Sequence, residues 1–326
     1  MMIRGIVRIS IYVAILSAIL ILLQELLGTD PKALIQTTLL AMTPLALAAA
    51  GEALNQRAGM VNIGIEGIFA ISAIAGVYMA EVLGNGYLGL LFGGLVGALI
   101  GFIMAVVSIY GKADQIIMGM GLNIAAMGIT PFLLRAIWGF PGLHLPPKEV
   151  LIQRLDIYGF QISIVTIAAI VIAIALHIIL HKTYLGLWIK AAGEAPEALD
   201  AAGHNVNMIR MITPTIGGFL AGLGGAFMPL DFFGSITKEF TAGRGFIALA
   251  CVISSNLEPM GSLGFALIFG LADALAPVIA ITPGVKESVP YQFILALPYI
   301  VTLAVVAIAV KGRKLPRALG IPYSRE

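Results

Sequence analysis

The sequence predicts an all-α protein, a polytopic membrane helical bundle of about ten transmembrane helices. The first observation is composition: 60% of the 326 residues are hydrophobic and 11% are charged, whereas soluble domains carry about 25% charged residues. The second is that apolar segments of about 20 residues, long enough to cross a ~30 Å hydrocarbon core, recur along the chain. The third is that most of the 19 Lys and Arg residues fall at ends that this count makes cytoplasmic.

Two of the candidate spans need separate arguments. The apolar run at 6–27 is longer than the 7–15 residues of a signal-peptide core and has no clear cleavage site, so we expect a retained first span. The eighth, 244–257, would rise only about 21 Å. It either crosses a thinned bilayer or is a half-helix that lines a cavity, and the sequence leaves this open. The candidate spans are 6–27, 34–54, 61–83, 87–110, 115–137, 161–181, 211–230, 244–257, 261–282 and 291–310.

Ten crossings place both termini in the cytoplasm, and the basic segment KGRKLPR fixes the last end. The whole chain, 1–326, is then a single transmembrane domain. The loop at 138–160, rich in Pro and aromatic residues, predicts an ordered outer cap. Glu52 and Arg57 flank the turn after the second span and could pair there.

The segment 182–210 is a polar interlude that the charge count places in the cytoplasm. Pro196 suits the first position of a short helix, Glu197 its first turn, and Gly203 its end. A helix of this length is marginal alone in water, so it needs the span ends or a partner to hold it. An interfacial linker and a docking element are equally consistent with these residues.

Four polar residues inside the spans are candidates for a substrate pathway, because polar and ionisable groups inside a membrane are costly. They are Asn62, Glu66, Asn123 and Asp273. Each has a structural alternative: Glu66 among Asn62, Gly64 and Gly67 could fix a helix break, and Asn123 could make an interhelical hydrogen bond. For Asp273 the two interpretations are balanced.

Small residues indicate how the helices pack. Gly89, Gly93, Gly97 and Gly101 share one helix face, and Gly218 and Gly222 are spaced in the same way. We expect close helix contacts along both faces. A weak echo links NIGIEG at 62–67 with GRGFIA at 243–248, each followed by a Gly-rich span, as in transporters built from repeats.

No catalytic constellation and no metal site emerge. The chain has no phosphate loop and no H-E-x-x-H or G-x-S-x-G motif. His177 and His181 are one helical turn apart, but no carboxylate or cysteine is near them in the sequence, so we expect an interfacial pair rather than a metal site. Cys251 is the single cysteine, and we expect it to be a small buried residue.

Four stretches resemble the permease subunits of ABC importers, in the branch for simple sugars, branched-chain amino acids and nucleosides. The similarity covers about 34–310 and is nearest to nucleoside-type permeases. One turn departs from the pattern: ISSNLEP at 253–259 replaces an aromatic F-G-x-W-N-P-like sequence. The stretches are GMVNIGIEGIFAISA (59–73), ADQIIMGMGLNIAAMGIT (113–130), TYLGLWIKAAGEAPEALDAAG (183–203) and GRGFIALACVISSNLEPMGSLGFALIFGLADAL (243–275).

The resemblance implies a vitamin-importer-like fold whose segment 182–210 is a cytoplasmic coupling loop. It implies that a separate ATPase subunit binds ATP and magnesium and contacts this loop, while this chain holds no cofactor. Further partners would be a second, related permease and an extracytoplasmic substrate-binding lipoprotein, in the cell membrane of a prokaryote. The residues expected to couple to the ATPase are Gly193, Glu194, Pro196, Glu197 and Gly203.

The expected function is therefore import of a nucleoside or a related polar small molecule by alternating access. Sugars and branched-chain amino acids are the alternative substrates. An ion-coupled secondary transporter is a rival class, with Glu66 and Asp273 as its only coupling carboxylates. An intramembrane enzyme is disfavoured because no catalytic set is present.

Overall fold

The computed structural model describes residues 30–282, 290–309 and 315–323, so the predicted first span at 6–27 lies outside the described residues. Seven helices in the described part are long and apolar enough to cross a membrane, which confirms the all-α membrane bundle. They are α1 (Pro31–Arg57), α2 (Ile65–Leu83), α3 (Gly86–Tyr110), α4 (Gln115–Trp138), α5 (Ile164–Lys182), α8 (Val206–Phe227), which a π-helical turn extends to Phe232, and α10 (Pro259–Ile281).

Shorter elements complete the described chain. Two helices, α6 (Tyr184–Glu194) and α7 (Pro196–Ala201), form the predicted polar interlude. A third, α9 (Arg244–Ser254), has 11 residues, and the last span is divided at Ala296 into α11 (Tyr291–Leu295) and α12 (Leu297–Ala309). A 3₁₀ turn covers Lys148–Val150.

Two short antiparallel strand pairs order the loops at one end of the bundle. Strand β1 (Leu143–His144) pairs with β4 (Ile236–Thr237), and β2 (Leu155–Ile157) pairs with β3 (Phe160–Ile162). The prediction that the loop at 138–160 is ordered is therefore confirmed. We call this the strand end, and the opposite end, which carries α6 and α7, the α6–α7 end.

Helix α1 lies at the centre and packs against α5, α8, α9 and α10. Its interior run Ala46–Ala50 is fully buried or nearly so. Most residues in this run are alanines, and small side chains let the backbones of neighbouring helices approach closely. Helices α2 and α8 are also mostly buried, whereas α3, α4 and α5 expose most of their apolar side chains.

The glycine faces meet as predicted. On α3, Gly93 and Gly97 face Gly222 and Gly218 of α8, and a Cβ atom at Gly97 would collide with the Gly218 carbonyl oxygen. On the same α3 face, a Cβ at Gly89 would collide with the backbone of α2 at Gly76. These glycines are therefore packing positions that bring three helices to backbone contact.

Helix α9 covers only part of a crossing, and the chain between β4 at the strand end and Glu258, which contacts Arg57 at the α6–α7 end, completes it. Eleven residues rise only about 16 Å, and the helix begins where Arg244 contacts Asp273, midway along α10. The segment from β4 to Gly243 enters the bundle as irregular chain. The candidate span 244–257 is thus a half-helix, which is one of the two alternatives that the sequence left open.

Candidate functional site at two half-buried helix starts and the α6–α7 end

The first polar cluster surrounds the start of α2. The Asn62 side-chain oxygen accepts a hydrogen bond from the Gly64 N–H at 2.8 Å. Asn123 of α4 accepts from the Gly67 N–H at 2.8 Å and donates to the Ile63 carbonyl at 3.0 Å. The first N–H groups of a helix have no partner within it, so these two asparagines supply partners deep inside the bundle.

The second cluster surrounds the start of α9, where Glu66 accepts hydrogen bonds from backbone N–H groups. Its two carboxylate oxygens accept from the N–H groups of Gly243 and Gly245, each at 2.7 Å. A negative charge at this position is also favoured by the helix dipole. The two segments that echo each other in sequence, 62–67 and 243–248, are therefore in direct contact.

Asp273 and Tyr299 fix the turn before α9 from its other side. The Asp273 carboxylate and the Arg244 guanidinium form a two-pronged ion pair with contacts of 2.8 and 3.0 Å. The Arg244 guanidinium also lies 5.0 Å above the ring of Phe233, and the Tyr299 hydroxyl donates to the Ala242 carbonyl at 2.5 Å. The turn is thereby held by α2, α10 and α12 together.

A cavity of about 380 Å³ lies beside these helix starts, within the ~300–1,000 Å³ range of small-molecule sites. Glu66 and Asn123 are among its lining residues, whereas Asn62 and Asp273 are not. The Thr130 hydroxyl in its wall is buried without a hydrogen-bond partner in the described part of the chain. The remaining lining residues are Gly67, Ala70, Ala126, Met127, Lys238, Glu239, Thr241, Ala242, Gly243 and Phe246.

Several of these lining residues were not singled out in the sequence. Thr130 is an ordinary helical threonine by pattern, and Lys238 and Thr241 belong to an irregular segment between β4 and α9. Met127 and Thr130 could have been found from their positions, one and two turns after the candidate Asn123 on the same helix. Helical spacing of this kind places side chains on one face.

At the α6–α7 end, the short helix predicted from Pro196 is confirmed. Helix α7 begins at Pro196, and Gly203 follows its end with a positive φ of 86°. Glu194, Pro196 and Glu197 line an open cleft of about 820 Å³. Gly193 is buried instead, and a Cβ there would collide with the Arg57 carbonyl oxygen.

The other wall of this cleft comes from the C-terminal segment 315–323. The Gly193 carbonyl accepts from the Ala318 N–H at 2.9 Å. The buried guanidinium of Arg210 donates to the carbonyls of Ile321 at 2.7 Å and Ala192 at 2.9 Å. Sequence reasoning used this tail only as a topology signal and missed that it packs on α6.

Glu52 and Arg57 do not pair, so the suggested contact between them is wrong. Glu52 accepts from the side chains of Asn55 and Gln56, each at 2.9 Å, and from the Asn62 N–H. Arg57 instead contacts Glu258 at 2.5 Å. The turn between α9 and α10 brings Glu258 to the end of α1, a long-range contact that sequence proximity could not indicate.

The long apolar helices of the bundle define the class, a multi-pass membrane protein. The family model described as "Branched-chain amino acid transport system / permease component" matches residues 34–310. The chain belongs to this family.

Three relatives resemble the chain over nearly all of their own length. It is 33% identical to the nucleoside ABC transporter permease protein NupC of Lactococcus lactis, over 89% of this chain and 96% of that protein. It is 34% identical to the guanosine ABC transporter permease protein NupQ of Bacillus subtilis, with the same coverage. The putative glucose ABC transporter permease protein TsgC13 of Haloferax volcanii is 32% identical, over 90% of this chain and 98% of that protein. No solved structure matches the chain.

Proposed function

We propose that the chain is the permease subunit of an ATP-driven ABC importer that moves a nucleoside, or a related polar molecule, into a prokaryotic cell. The observation that carries the proposal is the cavity at the facing starts of α2 and α9, where polar groups converge inside an apolar bundle. Alternating access at this cavity would carry the substrate across. The names of NupC and NupQ support the substrate class.

The hydrogen bonds at the start of α9 leave no free N–H group there for an anionic group of a substrate. Helix starts in membranes often bind the carboxylate of a substrate. Here Glu66 occupies the N–H groups of Gly243 and Gly245, and those of Arg244, Phe246 and Ile247 donate to backbone carbonyls. With these five groups taken, an amino-acid carboxylate has no partner at this helix start and would have to bind elsewhere in the cavity, at Lys238.

Phe246 and Thr130 suit a nucleoside in two ways. The Phe246 side chain is 48% exposed and lines the cavity, and nucleobases stack on aromatic rings. The Thr130 hydroxyl, which has no hydrogen-bond partner among the described residues, can donate or accept a hydrogen bond. The exposed Lys238 side chain adds a positively charged donor, and the exposed Glu239 side chain adds a negatively charged acceptor. A sugar could use the same polar groups without the stacking, and the name of TsgC13 keeps sugar import as the second candidate.

The partners follow from the two ends of the bundle. The cleft beside α6 and α7 combines Glu194, Glu197 and Asp200 with Arg317, and we propose that it receives a separate ATPase, which binds ATP and magnesium. The segment 182–210 is then the coupling loop of a single transmembrane domain, 1–326, with both termini cytoplasmic. The exposed apolar faces of α4 would contact lipid and a second, related permease, and the strand end would face a substrate-binding lipoprotein.

An ion-coupled secondary transporter is less well supported. It would need Glu66 and Asp273 as exchangeable ion sites, yet both carboxylates are engaged by the Gly243–Gly245 turn and by Arg244. Releasing either one would free a helix start or an arginine inside the bundle, which is costly in a membrane.

Uptake into proteoliposomes tests the proposal. The chain would be assembled with the ATPase, second permease and lipoprotein from the same organism, and labelled guanosine, glucose and leucine offered with ATP inside the vesicles. We expect guanosine uptake that needs hydrolysable ATP. Guanosine uptake of equal rate with a non-hydrolysable ATP analogue, or uptake of leucine alone, would contradict the proposal.

A further inference from the structure

Three side chains that are unrelated by local sequence meet at the α6–α7 end. His177 and His181 lie one turn apart near the end of α5, and Glu258 directly precedes α10. One ring nitrogen of each histidine and a carboxylate oxygen of Glu258 all lie within 4.8 Å of one another. The fold therefore supplies the third ligand that the sequence around the two histidines lacks.

The two distances from the Glu258 carboxylate oxygen to the histidine nitrogens are close to the edges of a tetrahedral metal site. The Glu258 Oε2 atom is 3.0 Å from Nε2 of His181 and 3.5 Å from Nδ1 of His177. A tetrahedron with bonds of about 2.0–2.2 Å to nitrogen and oxygen has edges of about 3.3–3.6 Å. The 3.5 Å distance lies in this range and the 3.0 Å distance just below it, so the Glu258 oxygen is placed to share one ion with each histidine nitrogen.

Two of these three atoms lack a hydrogen-bond partner in the described part of the chain. Within the described residues, Nδ1 of His177 and Oε2 of Glu258 are buried and have no hydrogen-bond partner, although they are close together. Buried polar atoms normally have partners. Two unsatisfied ligand atoms that converge, with Nε2 of His181 at 3.0 Å from one of them, indicate a common missing partner.

The surroundings select the kind of ion. Arg57 donates to the other oxygen of Glu258 at 2.5 Å and to the Asn256 carbonyl at 2.9 Å, which orients the carboxylate as outer-shell partners of metal ligands do. The charges of Arg57 and of nearby Lys190 oppose a hard cation that relies on charge alone. Two neutral imidazoles and one carboxylate suit zinc, and the partly exposed histidine side chains leave the fourth position open to water.

We propose that His177, His181 and Glu258 form a binding site for Zn²⁺ or a similar divalent transition metal ion. The bound ion would tie the end of α5 to the start of α10. Because α5 leads through Thr183 directly into α6, this tie would restrain the coupling segment and slow transport. That consequence rests on the proposed function, whereas the metal site itself does not.

Binding is tested on the purified, chelator-treated full-length chain, with Zn²⁺ alone as the probe and a chromophoric chelator as competitor. We expect one ion per chain. Loss of an outer-shell partner weakens metal sites about 10–100-fold, so His177→Gln, His181→Gln and Glu258→Gln, which each remove a direct ligand, should weaken binding by roughly 100-fold or more. His204→Gln is the matched control, because His204 lies at the same end but stacks on Trp188 at 4.2 Å.

A second measurement covers the case in which a variant fails to fold. Co²⁺ added to the wild-type chain should give the visible absorption of a tetrahedral nitrogen- and oxygen-ligated site, and Zn²⁺ should displace it. The proposal is overturned if the wild-type chain binds no more Zn²⁺ than the His177→Gln/His181→Gln variant, or if His204→Gln loses as much affinity. Guanosine uptake is not a readout in either experiment, so failure of the metal site and failure of the importer hypothesis remain distinguishable.

Discussion

The turn before α9 and the tail on α6 are both irregular segments held by a charged side chain, half-buried Glu66 and buried Arg210, but the charges have opposite signs. At the turn, the Glu66 carboxylate satisfies N–H groups in the interior of the bundle. At the tail, the Arg210 guanidinium satisfies carbonyl groups at its surface. The first arrangement immobilises one wall of a cavity, and the second builds one wall of an open cleft. In both places, hydrogen bonds from one charged side chain to the backbone of an irregular segment shape a site, one in the interior and one at the surface.

Removing Arg210 should have the largest effect on stability. The substitution Arg210→Ala leaves the carbonyls of Ala192 and Ile321 without their donor, and hydrogen bonds to charged groups contribute about 1.5–3 kcal/mol each. We expect the free energy of unfolding to fall by about 3 kcal/mol. Equilibrium unfolding in detergent micelles would measure this, with limited proteolysis reporting release of segment 315–323. An unchanged cleavage pattern would show that Arg210 does not hold the tail.

The interior counterpart is Glu66→Ala, which leaves the Gly243 and Gly245 N–H groups unpaired. Polar contacts between transmembrane helices are worth about 0.6–2 kcal/mol, so we expect a loss of about 2 kcal/mol together with loss of guanosine uptake. Glu66→Gln keeps one acceptor oxygen and should retain part of both. If Glu66→Gln and Glu66→Ala behaved alike in uptake and stability, the capping role would be wrong.

The ion pair between Arg244 and Asp273 is predicted to contribute less, because both side chains are partly exposed, at 13% and 23%. A double-mutant cycle with Arg244→Gln and Asp273→Asn should give a coupling energy of about 1 kcal/mol. A coupling energy near zero would mean that the turn is held by Glu66 and Tyr299 without help from this pair.

The smallest stability change is expected at the cleft. Glu194 is exposed, so Glu194→Arg should change the free energy of unfolding by less than about 0.5 kcal/mol. In the assembled importer, however, it should uncouple ATP hydrolysis from uptake. Gly193→Trp is a poor substitute for this test, because the buried Gly193 packs against the Arg57 backbone and the larger side chain would disturb the fold. Normal coupling in Glu194→Arg would assign the cleft a purely structural role.

The sequence predicted the helices well because apolar spans have a fixed length and strong composition. It also marked Glu66 and Asn123, since polar residues inside spans are costly, and the structure places both at the cavity. Nothing local in the sequence links Arg210 to Ile321, His177 to Glu258 or Arg57 to the turn before α10. Each of these contacts joins residues that are far apart in the chain, and the polar partner is a backbone carbonyl or a loop side chain that carries no pattern.

The central claim is that the cavity between α2, α4 and the turn before α9 carries the substrate. Met127 and Met120 are both exposed on α4, at 71% and 54%, but only Met127 lines the cavity. ATP-dependent guanosine uptake by the assembled importer should fall at least roughly tenfold in Met127→Trp, because the indole fills the cavity, and stay near wild type in Met120→Trp. Equal uptake in the two variants would contradict the account.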